Sequence, residues 1–270
     1  MSDPISIIAL GAAVGGAAGK LAEKAWDNGQ RWLKERFGSY DHDVQEKAQL
    51  NAAHFIEHLA KRVELLEKET LGHGLLLENV VSHPQFSVLL QKSLLNAAQT
   101  DDETKQDLLA ELVAARLTSN HETTFSLASQ LASDAIAHST KQQLQLMALS
   151  FFVQQVRPKH PLSATDYRRW LEVWLKPFEY FEFVENDALH LVAIACASYD
   201  PASERDLTLL LQMKGGTNHL KTDLTDLIEV EVLQMQWVFG LSGVFLTSVG
   251  SIVGGLALDQ MIDSKYELPK

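Results

Sequence analysis

The sequence predicts a mainly α protein, a multi-helix domain followed by a winged-helix-like module with a C-terminal β-hairpin. Three observations carry that class. Apolar residues recur at helical spacing through most of the 270 residues. Helix starts and prolines punctuate those stretches, as at Thr140, Pro158, Pro161, Ser163 and Pro177. The longest uncharged run, Val232 to Leu258, holds two β-rich segments around a glycine turn. The composition, 46% hydrophobic and 21% charged, allows a sizeable core without staples.

The chain opens on a small-residue-rich segment in which Gly11, Gly15 and Gly19 recur every four residues, along one helix face. Such a face admits another helix closely. One reading is a tightly packed core helix; the other is a segment, residues 4–20, that enters or perforates a membrane. The run from Pro4 to Gly19 is shorter than a usual span, and its acidic start lacks the basic region of a signal peptide. Trp26 and Trp32 continue it as an amphipathic helix to about residue 38. Residues 1–38, 39–139 and 140–270 form the expected domains: the N-terminal helix, the helical domain, and the winged-helix-like module with a helical insert.

Val44 to Glu69 is the clearest helix. Ala52, Ile56, Leu59, Val63 and Leu66 alternate spacings of four and three, a seam suited to self-association. Two capping boxes are predicted next, Ser82/Gln85 and Thr100/Glu103. Helices follow over Thr123–His138, with Phe125, Leu127, Leu131 and Ile136 as the apolar set, and over Thr140–Val156. Another starts at Ser163 and buries Tyr167, Trp170, Leu171, Trp174 and Leu175. Phe178–Val184 is β-prone. Further helices are expected near Asp187–Ser198, Glu204–Met213 and Thr217–Val230.

The tail has three readings. A membrane span has the length but carries scattered Gln, Ser and Thr. A buried helix must accommodate Gly240 and Gly243 at roughly 1 kcal/mol each. The favoured reading is a hairpin, Val232–Phe239 and Val244–Val249 around Gly240–Gly243, and then a helix capped by Ser251.

No motif exposes an active site. Gly19-Lys20 lacks the preceding strand and the hydroxyl residue of a phosphate loop. His54-Phe55-Ile56-Glu57-His58 matches a zinc-protease pattern, but these residues lie opposite the apolar seam and no third ligand is identifiable. Cys196, the single cysteine, reads as a buried small hydrophobe. No catalytic residue, metal or cofactor is therefore expected. The net charge of −12, and a tail without Lys or Arg from Gln236 to Leu258, argue against nucleic acid. The absence of a disulfide framework and of a cleavable leader points to the cytoplasm, peripheral at the inner membrane if residues 4–20 meet lipid.

Two regions carry a family resemblance: Ser82 to Leu90 with the leucine-rich helix after it, and Thr140 to Met147, later joined by Val244 to Gly250. Together they resemble the helical domain of bacterial abortive-infection alpha proteins, in which a helical region precedes a winged-helix-like module ending in an L-T-x-x-G turn. The match is Leu246, Thr247 and Gly250. The resemblance implies antiphage defence, and it carries over no catalytic residue. The expected function is a non-enzymatic effector acting through its N-terminal helix on a membrane, or through self-assembly. The alternative is a soluble regulatory protein whose winged-helix module binds a partner protein.

Overall fold

The computed structural model describes residues 16–69, 83–119, 123–215, 223–224 and 226–262. Among them are eleven α-helices and one antiparallel pair of short strands, a mainly α fold. The chain divides after His138 into two compact units.

The first unit holds α1 (Gly16–Phe37), α2 (His42–Glu69), α3 (Pro84–Ala98), α4 (Glu103–Thr118) and α5 (Thr124–His138). Helix α2 is its axis and packs against α1, α3 and α4. Its seam explains why: Ala52, Ile56, Leu59 and Val63 are almost wholly buried. Burying a Leu- or Ile-sized side chain contributes about 1.5–3 kcal/mol, so this face dominates local stability. Two predicted caps shift. Asp102, not Thr100, accepts the Thr104 N–H at the start of α4. His83 Nδ1 accepts from Gln85 N at the start of α3, while Ser82 lies outside the described residues.

Helix α5 corrects the periodicity argument. Ile136 is buried, but Leu127 and Leu131 are 65% and 55% exposed. The buried face is instead small and polar, with Ser126, Ser129, Ser133, Ala128 and Ala132. Close packing against α3 selects it: the Ser133 hydroxyl meets the Ser93 hydroxyl at 3.1 Å and accepts from Asn96 Nδ2. Leucine side chains would not fit that spacing.

The second unit holds α6 (Lys141–Gln155), α7 (Ala164–Leu175), α8 (Glu185–Ala193), β1 (Ala197–Tyr199), α9 (Leu207–Lys214), α10 (Ile228–Val238), β2 (Val244–Leu246) and α11 (Ser248–Met261). Thr140 and Gln143 close a reciprocal capping box on α6, and Ser163 caps α7 through Asp166 N. The β-prone run 178–184 forms no strand; a single 3-10 turn covers Lys176–Phe178.

The tail departs most from expectation. Val232–Phe239 is helical to Val238 rather than the first arm of a hairpin. The antiparallel pair does exist in this unit, but β2 pairs with β1, in the register Ala197↔Leu246, Ser198↔Phe245 and Tyr199↔Val244. No wing hairpin thus forms from residues 232–249. Thr247, not Ser251, caps α11, accepting from Gly250 N. Helix α11 packs on α6, and the L-T-x-x-G residues tie its start to the turn at Ala195–Cys196. Thr247 Oγ1 donates to Ala195 O at 2.7 Å, and Thr247 N to Cys196 O at 3.0 Å. A Cβ on Gly250 would lie 1.9 Å from the Cys196 carbonyl oxygen, and one on Gly254 would lie 2.5 Å from that of Met147. Gly254 thus lets α11 approach α6 closely, while Gly250 lets it approach the turn at Cys196.

Candidate interaction surface

Helix α10 buries Val230, Leu233 and Trp237 and turns its other side to solvent. On that side Ile228 is 70% exposed, Met235 51%, Val238 75% and Phe239 76%. The spacings of seven, three and four place these residues, with Glu231, along one helical stripe. Gly240, at φ 129°, reverses the chain immediately after Phe239 and stops the helix there.

The stripe is held rigidly from behind. Arg205 Nε donates to Ser242 O at 2.6 Å and its Nη2 to Val244 O at 3.0 Å. Its guanidinium lies over the Trp237 ring at 4.8 Å and over the Phe245 ring at 4.1 Å. Trp237 Nε1 returns a hydrogen bond to Arg205 O at 2.5 Å. Alongside α10 runs the 176–185 segment, tied by Phe183 N donating to Gln236 Oε1 at 2.7 Å. It carries Tyr180, 89% exposed, and Val184, 42% exposed.

The surroundings are acidic. Residues 177–204 contain six carboxylates and residues 222–262 contain five, with no Lys or Arg in either range. Among the described residues, three cations beside this face are engaged: Lys176 with Glu179 at 2.5 Å, Arg168 with Asp226 at 2.7 Å, and Arg205 against its two rings. These pairings hold the Glu179 and Asp226 carboxyls below the ordinary carboxylate range, chiefly through the hydrogen bonds from Lys176 and Arg168.

The residues singled out by sequence fall elsewhere. Gly11 and Gly15 lie outside the described residues. Gly19, Trp26 and Trp32 sit half-exposed on α1, whose buried face is Ala18, Leu21, Ala22, Ala25 and Leu33. Trp32 lines a groove of about 200 Å³ between α1 and α3, with Lys24, Arg31 and Phe86. The seam Ala52–Leu66 is filled by α1, α3 and α4 of the same unit, leaving only Leu66 half-exposed. Of the proposed membrane contact, residues 4–15 lie outside the described residues. Among the described residues no helix is long and apolar enough to cross a membrane.

The chemistry-bearing residues are structurally engaged. His58 Nδ1 meets Asp107 Oδ1 at 2.9 Å, and Arg62 bridges Asp107 and Glu111 at 3.0 and 3.2 Å. The expected solvated face of α2 is thus a half-buried ionic seam to α4. Among the described residues no cluster of three or more His, Cys, Asp or Glu could hold a metal ion. Cys196 is buried, and burial pushes its thiol up to about 11, away from the reactive thiolate. Lys214 is buried at 5% exposure and donates to the Phe152 and Val156 carbonyls at the end of α6, at 2.5 and 2.6 Å.

Sequence reasoning missed the α10 surface because it read Val232–Phe239 as the first arm of a hairpin rather than as a helix. The available signal was the combination of apolar residues on both sides of one helix with acidic, cation-free flanks.

No curated protein and no solved structure matches the chain. One family model, of a family of unknown function, matches residues 19–234. That match spans α1 through most of α10, well over half of the molecule, and the chain belongs to that family.

Proposed function

We propose that the protein is a non-enzymatic interaction protein whose α10 face docks a partner protein. The observation that carries this is the exposure of Val238 and Phe239, 75% and 76%, at the rigidly clamped end of α10. Apolar area left in water forgoes about 25 cal/mol per Å², and a contiguous patch of this kind marks a contact surface. The clamp matters because preordered side chains lose little entropy on docking. Aromatic residues and Met are the residue types that such centres favour.

The resemblance to abortive-infection proteins sets this docking in antiphage defence, where the partner would be the trigger or the target of growth arrest. In this reading the encounter is cytoplasmic, in keeping with a single cysteine and no disulfide framework. The test is native size. In extracts of cells making the protein at native level, the wild type is expected in a complex larger than its 30.0 kDa chain. The double variant Val238→Ser/Phe239→Ser, with unchanged circular dichroism, is expected at the size of the free chain. A folded double variant that stays in the same complex rejects the reading.

A further inference from the structure

Resting on the docking role proposed above, this step concerns the partner's chemistry: we infer that the α10 face binds a cationic amphipathic helix carried by another protein. Shape gives the first half. The stripe from Ile228 to Phe239 follows about three helical turns, roughly 16 Å at 1.5 Å per residue. A straight apolar stripe of that length matches the i, i+4, i+7 face of an opposing helix. Met235 near its centre adapts to varied side chains.

Charge gives the second half. Glu231 stands within the stripe, while Glu182 and Glu185 are exposed on the segment beside it. Lys176 lies within electrostatic reach of both Glu229 and Tyr180, but its ammonium is already paired with Glu179. Residues 177–204 and 222–262 supply no Lys or Arg of their own to offset these carboxylates. A second copy would bring the same carboxylates against them, and like charges across an interface cost affinity. Anionic membrane surfaces and phosphate backbones are repelled for the same reason. A helix with an apolar face flanked by Lys or Arg gains from both features.

The experiment titrates the full chain against three labelled 18-residue helical peptides, one of Leu and Lys, one with Gln in place of every Lys, and one with Glu. Anisotropy is read at low and at about 0.15 M salt. The Leu/Lys peptide is expected to bind at least tenfold more tightly than the Gln and Glu peptides and to weaken with salt. Phe239→Ser is expected to lose that binding, and Glu182→Gln/Glu231→Gln to weaken it severalfold and flatten its salt dependence, while both variants keep the wild-type melting curve. Equal binding of the Gln peptide overturns the cationic partner and leaves the docking face standing. Binding of the Leu/Lys peptide untouched by Phe239→Ser overturns this face as its site. Sedimentation showing a wild-type dimer that Phe239→Ser splits makes the occupant a second copy and also overturns the inference.

Discussion

Lys214 shows how one buried residue ties a helix end to pH. Its ammonium satisfies carbonyls of Phe152 and Val156 that α6 leaves unpaired, at the negative end of the helix. Desolvation, helped by Arg157, nonetheless pulls its pKa down to about 7. In the unfolded chain the amine keeps its ordinary value near 10.5. Between those values the unfolded state binds more protons, so stability rises with pH there, at a limiting slope of about 1.4 kcal/mol per pH unit. Below about 7 both states are protonated and the slope vanishes. Urea melts from pH 7 to 10 should therefore show rising stability, and Lys214→Met should flatten that rise. Gly250 is the second decisive residue. With a Cβ placed 1.9 Å from the Cys196 carbonyl oxygen, α11 or the turn must move. Gly250→Ala is expected to cost about 3 kcal/mol in denaturant melts, at the upper end for an overpacked site. A cost under 1 kcal/mol would mean that this contact is looser than the geometry requires.

At the scale of elements, helix starts were more legible than caps. The helices expected from Thr140 and Ser163 begin there, where both side chains accept backbone N–H bonds, but Asp102 and Thr247 take the capping places expected of Thr100 and Ser251. Residues 232–239 were not legible in the same way. Their β-branched and aromatic side chains suit a strand, but Val230, Leu233 and Trp237 gain more by burial on one helix face. The strand partner of Val244–Leu246 comes from Ala197–Tyr199, a pairing that no local pattern announces. Helix α5 shows the same limit. Its leucines point outward because the serine and alanine face is the one that fits against α3. Leu127→Gln and Leu131→Gln should change stability by less than about 0.5 kcal/mol, as exposed positions do, while Ser133→Leu should cost about 2 kcal/mol or more by overpacking. The reverse order in thermal melts would restore the leucine face as the buried one.

For the whole molecule, two compact units divide the roles. The first places its apolar seam inside, around α2, where α1, α3 and α4 cover it. The second leaves an apolar stripe outside, with Glu231 in it and no Lys or Arg in residues 222–262. The mainly α class was readable from period and composition. The candidate site was not, because binding surfaces violate the inward rule by which periodicity is read. Function then rests on whether the α10 stripe meets a partner in the cell. The most direct measurement places a photoreactive phenylalanine analogue in turn at positions 235, 238 and 239, and at exposed Gln49 as the control. Irradiation in cells should give one discrete protein adduct from the three α10 positions and none from position 49. An absence of adducts at all three, or the same adducts at position 49, would contradict docking through α10.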